Sequence, residues 1–247
     1  MNEENTTAIR LAKRVAEMAP CSRADAERYI AGGWITVDGK LAEDPAMRVE
    51  DEQDVVIDPK ATADEPLPVT ILLHKPAGVN SGVGAQGESA LALLTEETLQ
   101  VADHGRQRFL KRHLSRLTLT SPLETLASGL LIYTQDFRVA RKLIDDAERV
   151  EQEYVVEVAG TMAEGGLALL NHGLKFSGKP IAPMKVSWQN ETRLRFALKG
   201  VRPGQIAHMV EAVGLSVVSM KRLRIGRISM AGVPVGQWRY LHEYERF

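Results

Sequence analysis

The first sixty residues carry apolar positions at helical spacing and then switch to alternation. In "TAIRLAKRVAEMAP" Ile9, Leu11, Val15 and Met18 fall on one side of a helix, and "SRADAERYIAGG" opens on a serine cap and closes on Gly32-Gly33. "WITVDGK" alternates and then turns on Asp38-Gly39, a hairpin signal, and "DVVID" adds one more short strand. The stretch 58–68, "DPKATADEPLP", breaks every period with three prolines and reads as a linker. The pattern therefore predicts a small unit over 1–58, a linker over 59–68 and a larger unit over 69–247.

The larger unit mixes both periods. "VTILLHKPAG", "GLLIYTQ", "QEYVVEVAG", "KVSWQ", "RLRFALKG", "ISMAG" and "RYL" read as strands. "SALALLTEETLQVAD", "DFRVARKLIDDAERV", "TMAEGGLALLNHG" and "GQIAHMVEAVG" read as helices. Strands and helices do not alternate strictly as in a doubly wound sheet, so the pattern predicts an α+β fold. No internal repeat or low-complexity tract interrupts it.

Composition changes this picture little. With 247 residues, 44% hydrophobic and 26% charged, the chain can bury a core, and disorder is not expected. A net charge of -1 gives no whole-chain argument for nucleic acid, so any such case rests on local patches. Cys21 is the single cysteine and cannot form an internal disulfide. No apolar run reaches bilayer length and no leader pattern opens the chain, so the expectation is a cytoplasmic monomer with no membrane partner.

Local charge is more informative. Arg10, Lys13 and Arg14 share one helical face and Arg23 opens the next helix, a spacing suited to successive phosphates. The whole run "RLAKRVAEMAPCSRADAERYIAGGWITVDGK" resembles the S4-type RNA-binding domain, an αα-plus-hairpin module. The resemblance is carried by Cys21-Ser22-Arg23 between the helices and by Val37-Asp38-Gly39-Lys40 in the hairpin. It implies contact with structured RNA through shape and backbone charge.

Beyond the linker, the chain resembles the bacterial ribosomal-RNA pseudouridine synthases that bear such a module. "ILLHKPAGV" is similar to their opening strand, with His74 where asparagine is usual, and "GLLIYTQD" to their central strand. "EQEYVVEV" is similar to their lysine-x-tyrosine strand and places Tyr154 on the active-site tyrosine. "GQIAHMVEAVGLSVVSMKRLRIGRISMAGVPVGQWRYL" is similar to their C-terminal motif through Gln205-Ile206, Gly214, Lys221-Arg222-Leu223-Arg224 and Trp238-Arg239. The resemblance implies a catalytic-type domain with a central mixed, mostly antiparallel sheet. It also implies isomerisation of uridine in RNA, ribosomal RNA preferred and transfer RNA possible, with no cofactor and no metal.

The acidic motif departs from that family. Aligned without gaps from Gly129 and Leu130, Ser121-Pro122-Leu123-Glu124 stands where glycine, arginine, leucine and aspartate are usual. A second register through "SRLT" keeps Arg116 and Leu117 but sets Thr118 at the acid. The ungapped register is preferred, because threonine cannot do carboxylate chemistry. Gly204 and Ala207 replace the arginines that flank glutamine-isoleucine in the family. The resemblance thus assigns Glu124 and Tyr154 to catalysis, and Lys75 and Ile206 to the substrate. The basic stretch 104–116 contributes Arg106, Arg108, Lys111, Arg112 and Arg116 as a candidate phosphate-lined groove, and Lys221 and Arg222 belong to a further patch. Two readings stay open: an RNA pseudouridine synthase, and a catalytically impaired homologue that binds RNA as a ribosome assembly factor.

Overall fold

The computed structural model describes residues 8–82, 88–101 and 107–247. The chain divides into two compact units. One runs to Pro68 and also holds Arg108–Ser115; the other holds Val69–Gln107 and Arg116–Phe247.

In the first unit, strand β1 (Ile9–Arg10) pairs with β4 (Arg48–Val49) and leads into helix α1 (Leu11–Met18). Leu11, Ala12 and Val15 are buried against Ala26 and Ile30 of α2 (Arg23–Ala31), whereas Met18, expected on the apolar stripe, is exposed. The Ser22 hydroxyl accepts the Asp25 N–H at 3.1 Å, a cap whose removal costs about 1 kcal/mol. Between β2 (Ile35–Val37) and β3 (Lys40–Leu41), Asp38 and Gly39 take φ of 50° and 74°, the tight hairpin turn that their identities predict. Asp38 also accepts the Asp54 N–H at 3.0 Å and the Gln53 amide at 2.7 Å, tying the turn to β5 (Val55–Ile57).

The second unit is organised by a nine-stranded sheet whose main path runs β12-β13-β9-β14-β8-β6-β16. These are Lys185–Trp188, Arg193–Lys199, Glu151–Gly160, Leu215–Ile225, Ser128–Thr134, Thr70–Lys75 and Trp238–Tyr240. Strand β14 runs parallel to β8, and the remaining pairs on the path are antiparallel, so the sheet is mixed and mostly antiparallel as expected. One face packs Leu72, Leu130, Ile132 and Ile225 against Leu143 of α3 (Phe137–Ile144). Gly129, at φ 115°, is required where β8 meets β14, because a Cβ there would lie 2.2 Å from the Arg222 carbonyl oxygen. Any side chain at 129 would therefore prise the parallel pair apart.

One sequence expectation changes and two elements are new. Residues 89–101, the described part of the expected helix, do not form an α-helix; a 3-10 turn spans Ala90–Leu93. The Thr98 hydroxyl there donates to the Leu93 carbonyl and the Trp238 indole donates to the Thr95 carbonyl, so side chains take acceptors a helix would use. Strand β14, eleven residues long, carries no clean alternation because the register shifts at Val217/Ser219 and at Arg222/Arg224. The hairpin of β10 (Lys175–Phe176) and β11 (Lys179–Pro180), turning on Ser177 and Gly178 at φ 51° and 76°, is also new.

Candidate active site

Glu124 sits in a turn just before β8, and the chain pins that turn from several sides. Lys75, at the end of β6, donates all its reach to backbone: its ammonium bonds the Pro76, Val79 and Thr125 carbonyls at 2.9, 2.7 and 3.1 Å. The Gly78 N–H reaches the same Thr125 carbonyl at 2.7 Å. Leu123 is buried, its N–H donates to the Ser81 hydroxyl at 2.9 Å, and that hydroxyl donates back to the Leu123 carbonyl. The Glu124 carboxylate, half-buried, accepts the Gly204 N–H at 2.8 Å. Gly204 holds φ 77° immediately before α5 (Gln205–Ala212), so the acid rests at the positive end of a helix.

Arg222 occupies the floor. A fully buried guanidinium, it donates to Ser121 O at 2.7 Å, Ser121 Oγ at 2.9 Å, Pro122 O at 3.4 Å and Leu130 O at 2.8 Å. It also donates to the Gln152 side-chain oxygen at 3.2 Å and to the Tyr154 hydroxyl at 3.3 Å. The Tyr154 hydroxyl in turn donates to Gln152 at 2.9 Å, and Gln152 donates to Ser121 Oγ at 3.3 Å. Arg222 and Tyr154 are direct cross-strand partners on β14 and β9, so both side chains rise from one face of the sheet. One cation thus joins the segment leading into Glu124 to the tyrosine.

The electrostatics couple the same groups. Burial pushes the Tyr154 phenol above its ordinary range; Arg222 pulls it back and Glu124 adds to the rise. Burial, reinforced by Arg222 and opposed by Glu124, lowers Lys75 to about 8. On the opposite face of the sheet, burial and Lys221 hold His74 below its usual value, with the Val233 carbonyl opposing them. His74 Nδ1 donates to that carbonyl at 2.7 Å.

The remaining sequence-derived residues sort clearly. Thr118, the acid position of the gapped register, lies in β7 (Thr118–Leu119) opposite Thr134, at the far end of β8 from Ser128, whereas Glu124 of the ungapped register acts electrostatically on Tyr154 and Lys75. Lys75 and Ile206, expected at the substrate, are fully buried: the first braces the Glu124 turn and the second packs in the core. Lys221 and Arg222 cannot form one patch, since neighbours on a strand face opposite sides. Arg224 is bonded to Glu151 and Glu153.

In the first unit, Arg10, Lys13 and Arg23 line one open depression of about 380 Å³ with Ile9, Ala16 and Glu17. Arg14 points elsewhere, paired with Asp51 at 3.0 Å. Arg108–Ser115, expected in a phosphate-lined groove, packs within this unit. Arg108 bonds Asp58 and the Gly33 carbonyl and covers the Trp34 ring, and Arg112 bonds the Ala31 carbonyl at 2.9 Å. The Lys111 N–H bonds Glu43 at 2.7 Å. Arg116 is exposed in the second unit at φ 52°, and Arg106 lies outside the described residues. Sequence reasoning missed Gln152 and Ser121. Gln152 had a signal, since it stands two residues before Tyr154 and so shares its face; Ser121 had none.

Comparison with known proteins places the fold and the N-terminal module among known ones. Residues 9–56 match the S4 domain family. The chain is 27% identical over 246 residues to ribosomal large subunit pseudouridine synthase B of Bacillus subtilis, covering 96% of this chain and 94% of the relative. It is 28% identical to the dual-specificity RNA pseudouridine synthase RluF of Escherichia coli, covering 97% and 77%, and 25% identical to ribosomal small subunit pseudouridine synthase A of the same organism, covering 96% and 98%. A solved pseudouridylate synthase superposes with a TM-score of 0.59 at 19% identity over 96% of this chain and 97% of its own, a likeness of fold. The chain thus carries an N-terminal S4 domain and is similar, over nearly its whole length, to ribosomal large and small subunit pseudouridine synthases.

Proposed function

We propose that this protein isomerises uridine to pseudouridine in structured RNA, with ribosomal RNA as the substrate, Glu124 as the catalytic carboxylate and Tyr154 as the aromatic partner of the base. The observation that carries the reading is Arg222, which bonds Ser121 and Pro122 on the approach to Glu124 and the hydroxyl of Tyr154 at once. The phenol and the loop that leads into Glu124 are thereby tied to one buried cation, while the carboxylate itself is seated on the Gly204 N–H.

The chemistry asks little else of the protein. The target nucleotide leaves its stack at a cost of a few kcal/mol. The carboxylate acts on the ribose, the C1′–N1 bond breaks, the uracil turns, and a C1′–C5 bond forms as the C5 proton leaves and N1 ends protonated. Glu124 supplies the base or nucleophile for that sequence. Its seat on the Gly204 N–H replaces the guanidinium that the family resemblance would place beside the acid. Arg10, Lys13 and Arg23, open to solvent around their shared depression, contact phosphates of the RNA and fix its register. The protein works as a monomer in the cytoplasm.

The test is direct. Unmodified ribosomal RNA transcripts are incubated with the protein and pseudouridine is mapped by carbodiimide labelling. Labelled positions with the wild type that vanish in Glu124→Ala are the expected result. RNA binding without any label would instead establish the non-catalytic binder.

A further inference from the structure

Beside the acid lies a group of side chains that the isomerisation does not use. Phe176, half-buried on β10, carries the Arg202 guanidinium over its ring at 5.1 Å and packs against the His208 ring at 5.5 Å, tilted by 56°. His208 Nε2 donates to the Lys175 carbonyl at 3.0 Å, which fastens the hairpin to α5. The hairpin itself is stiff, with two consecutive positive φ values in a two-residue turn. Its position is defined by Gly204: a Cβ on that residue would stand 3.9 Å from Phe176 Cζ, and the Gly204 N–H is the group that holds Glu124.

The chemistry of this surface is cationic and aromatic. Arg202 and His208 are exposed, as are Lys175 and Lys179 on the two arms of the hairpin. Among the described residues the Arg202 guanidinium has no carboxylate or hydrogen-bond partner, so its donors are available while its flat face is held by the ring. A ring edge, a guanidinium plane and two ammonium groups on a rigid turn are what an unpaired nucleobase and its phosphates require. A duplex, whose bases are stacked on each other, can use the ammonium groups but not the ring or the guanidinium plane.

We propose that Phe176, Arg202 and His208 form a stacking platform for an unpaired RNA base next to the target uridine, with Lys175 and Lys179 on the adjoining phosphates. This platform rests on the RNA-modifying reading of the Glu124 site and extends it: the substrate is a loop or bulge, and the platform selects it over a helix. Two synthetic RNAs test this with the full chain, a uridine-bearing hairpin loop and the same strand closed into a continuous duplex. Fluorescence anisotropy gives both affinities, and carbodiimide mapping gives the modification.

Phe176→Ala is expected to weaken loop binding by about tenfold or more, as loss of one base–aromatic stack does, and to leave duplex binding unchanged, while Phe176→Trp restores the loop. Arg202→Ala, at an exposed position, is expected to weaken the loop in the same selective way. Loop affinity unaltered in both Phe176→Ala and Arg202→Ala would overturn the platform and leave the cluster as packing that seats the hairpin on α5. The two readings fail separately. If the wild type deposits no pseudouridine but Phe176→Ala still loses loop selectivity, the platform stands and the isomerase reading falls. If modification and loop affinity are both untouched by Phe176→Ala, the reverse holds.

Discussion

Arg222 and Glu124 lie in the same site and are held by opposite means. The arginine has no accessible surface and six hydrogen bonds, all to neutral acceptors from three segments of the chain. The acid is half-buried, and its carboxylate rests on one backbone N–H. Tolerance to change is therefore uneven across the site. A buried cation whose bonds span β8, β9 and the preceding loop cannot be altered without unpairing several groups at once. A carboxylate seated on a backbone amide depends on no side-chain partner.

The contrast can be broken in order of size. Arg222→Met should cost roughly 3 kcal/mol or more, because it strands buried acceptors at Ser121, Gln152 and Leu130; a denaturant midpoint shifted without a change of slope would register it. Glu124→Gln keeps the shape and removes the charge. Pseudouridine formation should fall about a hundredfold or more while RNA affinity and the unfolding midpoint stay put, and loss of affinity instead would mean that the acid is part of the binding surface. Glu124→Asp withdraws the carboxylate from the Gly204 N–H and should lower the rate by roughly tenfold or more, since displacements near 1 Å are costly. Adding Ala207→Arg to that variant should recover part of the loss, a non-additivity readable in a double-mutant cycle. The smallest effect is on the other face of the sheet. In the unfolded chain His74 takes up a proton near pH 6.5, and in the folded chain burial resists it, so the wild type should lose stability as pH falls below that value. His74→Asn should flatten that slope by less than one proton, as pH-dependent unfolding curves would report.

Much of this architecture was legible in the residues because local signals agreed with the fold. The serine cap at Ser22, the Asp38-Gly39 turn and the apolar strands at 71–75 and 130–133 each specify their own conformation. Strand β14 was not legible, since its two register shifts destroy the alternation that marks a strand, and with it went the location of Arg222 beneath the tyrosine. For the same reason Lys221 and Arg222 looked like one patch. The fate of Lys75 was hidden as well: a lysine buried against three carbonyls has no sequence signature that separates it from one reaching for phosphate. In the basic run at 108–112, Arg108 and Arg112 hydrogen-bond carbonyls of the N-terminal unit, partners far away in sequence that the run itself does not reveal.

The segment Arg108–Ser115 also bears on how this protein can be taken apart. Leu110 is buried in the N-terminal unit, and a Cβ on Gly33 would come within 2.5 Å of its side chain. Scissors placed in the proline-rich stretch after Asp58 would therefore yield a fragment lacking one of its own interior pieces. A faithful excision must carry an extra eight-residue peptide supplied from the middle of the gene product, and a fragment ending before Val69 should melt early until that peptide is given back.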